Sequence, residues 1–275
     1  MAADGGFYEA YDKVLAKWPD TTEHRDVPTP YGSTHVHSLG PLDAPPLLLL
    51  PGGGATSASW FANVAALAVS RRVHAVDLVG EPGRSVAEPA RPIRTVADLD
   101  GWLTALLAGL DITAPVDLCG HSYGAWIALH CALRAPERVG RLTLLDPTRC
   151  YAGLRPGYLL HALPTLLRPS PARTRRFLAW ESGGAALDGD WLALQEAAAG
   201  FPAARPVTGR IPSRETLRAL HEGPTRVRVV LAGESRAHDV RRIAERAGSA
   251  AFTVPGVSHH AMPVQLGAGL AELMV

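Results

Sequence analysis

A serine set between two glycines, Gly120-His121-Ser122-Tyr123-Gly124, constrains this chain more than any other feature. An apolar run at 116–119 leads straight into it, and a helical pattern that stops near Pro136 follows it. A chain that passes from strand to helix without a spacer must turn sharply. The residues two before and two after the serine then crowd each other, so both are glycine. Such a turn holds the hydroxyl out into a pocket, and the following helix aims its first amides at developing negative charge. The bland alternative is a glycine-flanked serine in an ordinary loop. It does not require these neighbours, whereas the nucleophile motif does.

A nucleophilic serine needs a base. His259 is the candidate: it follows a late strand pattern at 251–254 and the turn Pro255-Gly256-Val257-Ser258. Alternation along the chain should point His260 elsewhere, and His121 leaves the other side of the elbow, so both read as structural. His35 and His37 lie on an early strand without metal-ligand spacing. Stabilising an oxyanion takes main-chain N–H donors. Tyr123 supplies one, and Gly53 of the loop Pro51-Gly52-Gly53-Gly54, which ends the apolar run 47–50, is expected to supply the other. That loop lacks both the lysine of a phosphate-binding loop and the G-x-G-x-x-G spacing, so no nucleotide is expected. No cofactor or metal is expected either.

Strand patterns at 33–38, 47–50, 73–77, 116–119, 142–145, 227–231 and 251–254, several of them short apolar runs, alternate with helical patterns. One helical face carries Phe7, Tyr11, Val14, Leu15 and Trp18; another carries Leu99, Trp102, Leu103, Leu106, Leu107 and Leu110. This alternation predicts an α/β fold, a mostly parallel sheet flanked by helices. Between 149 and 223 strand patterns vanish and helical pieces dominate, at 158–163, 173–180, 191–199 and 214–220. The chain therefore reads as a core of residues 1–148 and 224–275 with a helical lid at 149–223. The insertion follows a strand's C-terminal end, where open α/β sheets bind ligands. Tyr151, Tyr158, Leu159, Trp180 and Trp191 are expected to face the pocket, which would suit an apolar acyl or ring-bearing small molecule.

Composition narrows the partners. The 275 residues are 47% apolar with a formal net charge of +1, which leaves no basic stripe for nucleic acid. The local cluster Arg168, Arg173, Arg175 and Arg176 reads as a solvated helix face. Cys119, Cys131 and Cys150 are odd in number and spaced for neither a disulfide framework nor zinc. The acidic start lacks a signal peptide's basic end and apolar stretch, and no apolar run approaches the ~20 residues of a membrane span. A cytoplasmic protein with no membrane partner is expected.

The chain resembles the α/β-hydrolase superfamily, and within it the lidded bacterial carboxylesterase-like branch. The resemblance rests on Leu50-Pro51-Gly52-Gly53-Gly54, Asp77-Leu78-Val79-Gly80-Glu81-Pro82-Gly83-Arg84-Ser85, the elbow, Ala135-Pro136-Glu137-Arg138-Val139 and Pro255-Gly256-Val257-Ser258-His259, and covers nearly the whole chain. It implies hydrolysis of esters, amides or thioesters without a cofactor, and Ser122 sets the chain apart from relatives with an aspartate nucleophile. Two departures stand out. The family usually has His-Gly where this chain has Pro51-Gly52. After the strand at 227–231 it tends to read Gly-x-x-Asp, whereas Gly233-Glu234-Ser235-Arg236 puts an arginine at the acid position, where it cannot orient an imidazolium. Asp146, at a strand end where some members place their acid, is the first candidate. Asp239 is the alternative acid, although it also suits the N-cap of the next helix. Glu234 lies early in the loop, and a chain with no acid stays open. The expected function is a serine hydrolase cleaving a carboxylic ester through an acyl-enzyme on Ser122. Non-hydrolytic chemistry (cyclisation, acyl transfer, C–C cleavage) and ligand binding by a degraded triad are the alternatives.

Overall fold

The computed structural model describes residues 3–274. Its strands are β1 (Glu23–Thr29), β2 (Gly32–Leu39), β3 (Pro46–Leu50), β4 (Arg72–Val76), β5 (Val86–Ala87), β6 (Val116–His121), β7 (Val139–Leu145), β8 (Arg226–Ala232) and β9 (Ala251–Val254). They form one sheet in the order β1-β2-β4-β3-β6-β7-β8-β9, with β5 on β2. β1, β4 and β5 pair antiparallel with β2, and every pairing from β4 across to β9 is parallel. Strands covered on both faces read as continuous apolar runs. Leu47 to Leu50 are all fully buried for this reason, as are Leu142, Leu144, Leu145 and Val229 to Leu231. The edge strand β1 gives no such signal: its first four residues are exposed and Val27 alone is buried.

The helices are α1 (Ala3–Leu15), α2 (Val64–Leu67), α3 (Val96–Gly109), α4 (Tyr123–Arg134), α5 (Pro156–Leu167), α6 (Pro171–Glu181), α7 (Gly189–Ala198), α8 (Arg214–Glu222), α9 (Val240–Ala247), α10 (Met262–Gln265) and α11 (Gly269–Leu273). Between β3 and β4 the chain makes only a 3-10 turn, Ser57–Trp60, followed by the single turn of α2. α1 buries Phe7, Tyr11 and Val14 as its stripe predicts, partly against Leu194 of α7. The Tyr11 hydroxyl anchors it, lying 2.7 Å from His37 Nε2, 2.9 Å from Ser57 Oγ and 3.0 Å from Asp77 Oδ2.

Between β7 and β8 the chain leaves the sheet. Ser170, Asp188 and Ser213 cap α6, α7 and α8 by accepting main-chain N–H groups. α8 does not belong with the helices before it. Its Leu217 and Leu220 join Val229, Leu231 and Ile243 in the main core cluster. Two parallel neighbours need a crossover helix on the sheet, and α8 fills that role between β7 and β8. α8 starts after its cap Ser213 and, unlike α5 to α7, packs into the main core.

The order reverses at β3, flanked by β4 on one side and β6 on the other. The loops after β3 and β6 therefore part at a crevice above the sheet's C-terminal rim, the usual ligand position of open α/β sheets. Among the described residues no helix is long and apolar enough to cross a membrane.

Candidate active site

Ser122 is the hinge between β6 and α4, with φ 51° and ψ −108°. Non-glycine residues rarely adopt this region, and it persists only where the surroundings enforce it. Here the enforcement is backbone against backbone. A Cβ on Gly120 would stand 2.3 Å from the Gly124 carbonyl oxygen, and one on Gly124 would stand 2.2 Å from that of Leu50. The Ser122 amide donates to Leu145 O at 3.0 Å, fixing the elbow to β7. Tyr123 opens α4, so its N–H is among those with no partner inside the helix. Gly53 lies opposite: a Cβ there would be 3.6 Å from Tyr123 Cβ. The Gly54 N–H donates to Glu81 Oε2 at 2.9 Å. Burial raises the Glu81 carboxyl above its ordinary range, against the lowering effect of that amide.

The Ser122 hydroxyl is 3.0 Å from His259 Nε2, and His259 Nδ1 is 2.6 Å from Asp146 Oδ2. A carboxylate only accepts, so Nδ1 carries the proton and the Nε2 lone pair faces the serine. Asp146 is fully buried. Oδ1 accepts from the Ala232 amide at 3.0 Å and from His238 Nε2 at 2.9 Å, and the Ser235 hydroxyl donates to Oδ2 at 2.7 Å. Burial opposes its charge, but His238 and His259 outweigh that and hold the carboxyl well below the usual range. The other acid candidates stand apart from His259. Asp239 is exposed and caps α9, accepting from the Arg242 amide at 3.1 Å. Glu234 is exposed as well, and Arg236 extends over the Trp180 ring at 5.0 Å.

Sequence reasoning missed His238 and Ser235. A signal existed: the loop at the usual acid position offers two side-chain donors where a carboxylate was sought. It also missed Glu181, the last residue of α6. Its Oε1 accepts the His259 amide at 2.8 Å and its Oε2 the His260 amide at 3.2 Å. His121 and His260 pack around the same loop. Burial, then the nearby His259, pushes His121 down to about 3, so it stays neutral and donates Nε2–H to the His259 carbonyl at 2.8 Å. His260 is likewise pushed well below its ordinary value by burial, then by His259 and His121. Its Nε2 lies 2.8 Å from the Tyr158 hydroxyl, within hydrogen-bond distance.

A cavity of about 410 Å³, open mouth included, lies over Ser122. The core contributes Gly52, Gly53, Trp60, His121 and Pro263 to its wall, and α7 contributes Trp191 and Gln195. Of the four aromatics expected there, only Trp191 lines it. Tyr151 is buried below, with its hydroxyl 3.0 Å from His221 Nε2. Tyr158 is committed to His260, and Trp180 stacks on His161 with ring centroids 3.9 Å apart. These three rings bind the helical segment to itself and to the core, which draws them away from the cavity. A second, largely apolar cavity, about 550 Å³ with its open mouth included, has the Tyr123 ring in its wall, with Leu78, Ile93, Trp102 and Ile127. Among the described residues no group of three or more His, Cys, Asp or Glu side chains is arranged to hold a metal ion.

Comparison with known proteins agrees with this architecture. Residues 47–273 match the Alpha/beta hydrolase family. A stretch of 156 residues, 57% of the chain, is 36% identical to carboxylesterase YbfK of Bacillus subtilis and covers 52% of it. The chain spans about half the length of the curated relatives it matches. The crystal structure of carboxylesterase CesB (YbfK) from Bacillus subtilis superposes with a TM-score of 0.85 at 26% identity, over 99% of this chain and 98% of that one. Naproxen esterase from the same organism superposes at 0.88 and 24% identity, over 100% and 99%, a likeness of fold.

Proposed function

The chain belongs to the alpha/beta hydrolase family, and from that premise we propose that it is a serine hydrolase that cleaves a carboxylic ester through an acyl-enzyme on Ser122. The observation that carries this reading is the continuous line from Ser122 Oγ through His259 to Asp146, with contacts of 3.0 and 2.6 Å. Ser122 Oγ attacks the ester carbonyl while His259 Nε2 takes its proton. Asp146 holds Nδ1 and stabilises the imidazolium that forms. The amides of Tyr123 and Gly53 receive the oxyanion, each worth roughly 3 kcal/mol in such sites. The imidazolium then protonates the departing alkoxide. Water, deprotonated by His259, attacks the acyl-enzyme, and its collapse releases the acid and restores Ser122.

The matched carboxylesterases support this class of reaction for a small-molecule substrate. The largely apolar wall beside the Tyr123 ring supports an apolar acyl or alcohol group. The helices between 149 and 213 act as the lid, with Trp191 as its face toward the serine. Cys119, Cys131 and Cys150 are all free and buried, which fits the reducing cytoplasm.

Hydrolysis of p-nitrophenyl esters of graded acyl length, with Ser122→Ala as control, tests the reading. The wild type should turn over and label with a fluorophosphonate, and the variant should lose roughly 10⁴-fold or more in kcat together with the label. A wild type that neither turns over nor labels would overturn it and leave ligand binding as the function.

A further inference from the structure

The helical segment reaches the serine site through one carboxylate, and that carboxylate is badly placed by ordinary rules. Glu181 ends α6, where the helix dipole presents its negative pole. It is 1% exposed, and its hydrogen-bond partners are two main-chain amides rather than a cation. Burying such a charge is costly, and a local rule broken without local gain marks a functional position. Here the gain lies on another element. The amides that Glu181 collects belong to His259 and His260. The carbonyl of His259 is held from the opposite side by His121, beside the nucleophile. The main chain at His259 is thus gripped from both flanks, by the elbow and by the helical segment. Ring placement relative to Ser122 depends on that main chain, and a misplacement of about 1 Å can cost roughly 10²-fold in rate.

We propose that Glu181 is a positioning residue that ties the helical segment to the His259 loop, so that the imidazole stands in line with Ser122 only while the segment is seated on the core. This rests on the reading of Ser122, His259 and Asp146 as the catalytic line. When the segment lifts to admit an ester, the two amides lose their acceptor and the base loses its fixed place. When it closes, the same contact restores the base.

Glu181→Ala and Glu181→Gln, assayed beside the wild type and Ser122→Ala on one p-nitrophenyl ester, test the tie. Glu181→Ala should lower kcat roughly 10- to 100-fold with KM within about twofold, and should slow fluorophosphonate labelling of Ser122 in parallel. Glu181→Gln keeps one carbonyl oxygen for the His259 amide and should fall between Ala and wild type. Thermal midpoints are recorded for all, and rates are expressed per folded molecule. If Glu181→Ala does not fold, the kcat of Glu181→Gln decides. Unchanged kcat per folded molecule, even with a lowered midpoint, would make Glu181 structural and overturn the proposal, as would a loss confined to KM. Turnover that depends on Ser122 but ignores Glu181 sinks this inference alone, whereas turnover indifferent to Ser122→Ala sinks the hydrolase reading and this one with it.

Discussion

Four donors converge on the two oxygens of Asp146: His259 Nδ1 and the Ser235 hydroxyl on one, His238 Nε2 and the Ala232 amide on the other. Asn at this position keeps the shape but turns an NH₂ toward those donors and favours the wrong imidazole tautomer. Asp146→Asn should therefore lower kcat about 10³- to 10⁴-fold with little change in KM. Asp239→Asn should leave kcat within about twofold, because Asn caps a helix nearly as well as Asp. Steady-state kinetics of the pair decide between them, and the reverse pattern would move the acid to position 239. Ser122 and His259 were legible in the sequence because each sits in a local motif. Asp146 was legible only as one of three candidates. Glu181 was not legible: it meets His259 across 78 residues of chain, and no periodicity records such a contact.

At the scale of elements, α7 alone among the off-sheet helices puts side chains into the cavity over Ser122. Trp191→Ala should enlarge that cavity and shift preference toward longer acyl chains. Trp180→Ala should leave the profile unchanged, because that ring packs between His161 and Arg236. A panel of ester chain lengths reads both, and a shift from Trp180→Ala alone would redraw the pocket. The buried parallel strands were legible as apolar runs, since both faces are covered. β1 was not, because an exposed edge strand leaves a single apolar residue to read. α8 was seen as a helix but grouped with the lid. An amphipathic stripe says that one face is buried and not what covers it.

Across the whole molecule, neutral buried histidines set the response to acid. Burial pushes His37 and His121 down to about 3 and His74 to about 4. In the unfolded chain each titrates near its ordinary value of about 6.5. On acidification the unfolded state therefore binds protons that the folded state refuses. Their contribution to stability is complete above about pH 6.5 and shrinks as pH falls toward 4, by up to about 1.4 kcal/mol per pH unit for each ring. Asp146, with its lowered carboxyl, adds a further loss in the same direction only below the usual carboxylate range. The thermal midpoint should drop steeply between pH 6.5 and 4.5, with about four protons taken up on unfolding near pH 5 by the rings of His37, His74, His121 and His260. A flat midpoint would mean that the folded protein protonates these rings in place. The pairing of β7 with β8 carries a consequence of another kind. Loops leaving adjacent strand ends can offer a carboxylate to one imidazole nitrogen from either strand. In descent, the acid can pass from one strand to its neighbour through an ancestor that carries both, active at every step. The loop that gives up its carboxylate is then free to become what Ser235 and His238 make of it, a set of donors serving the acid next door.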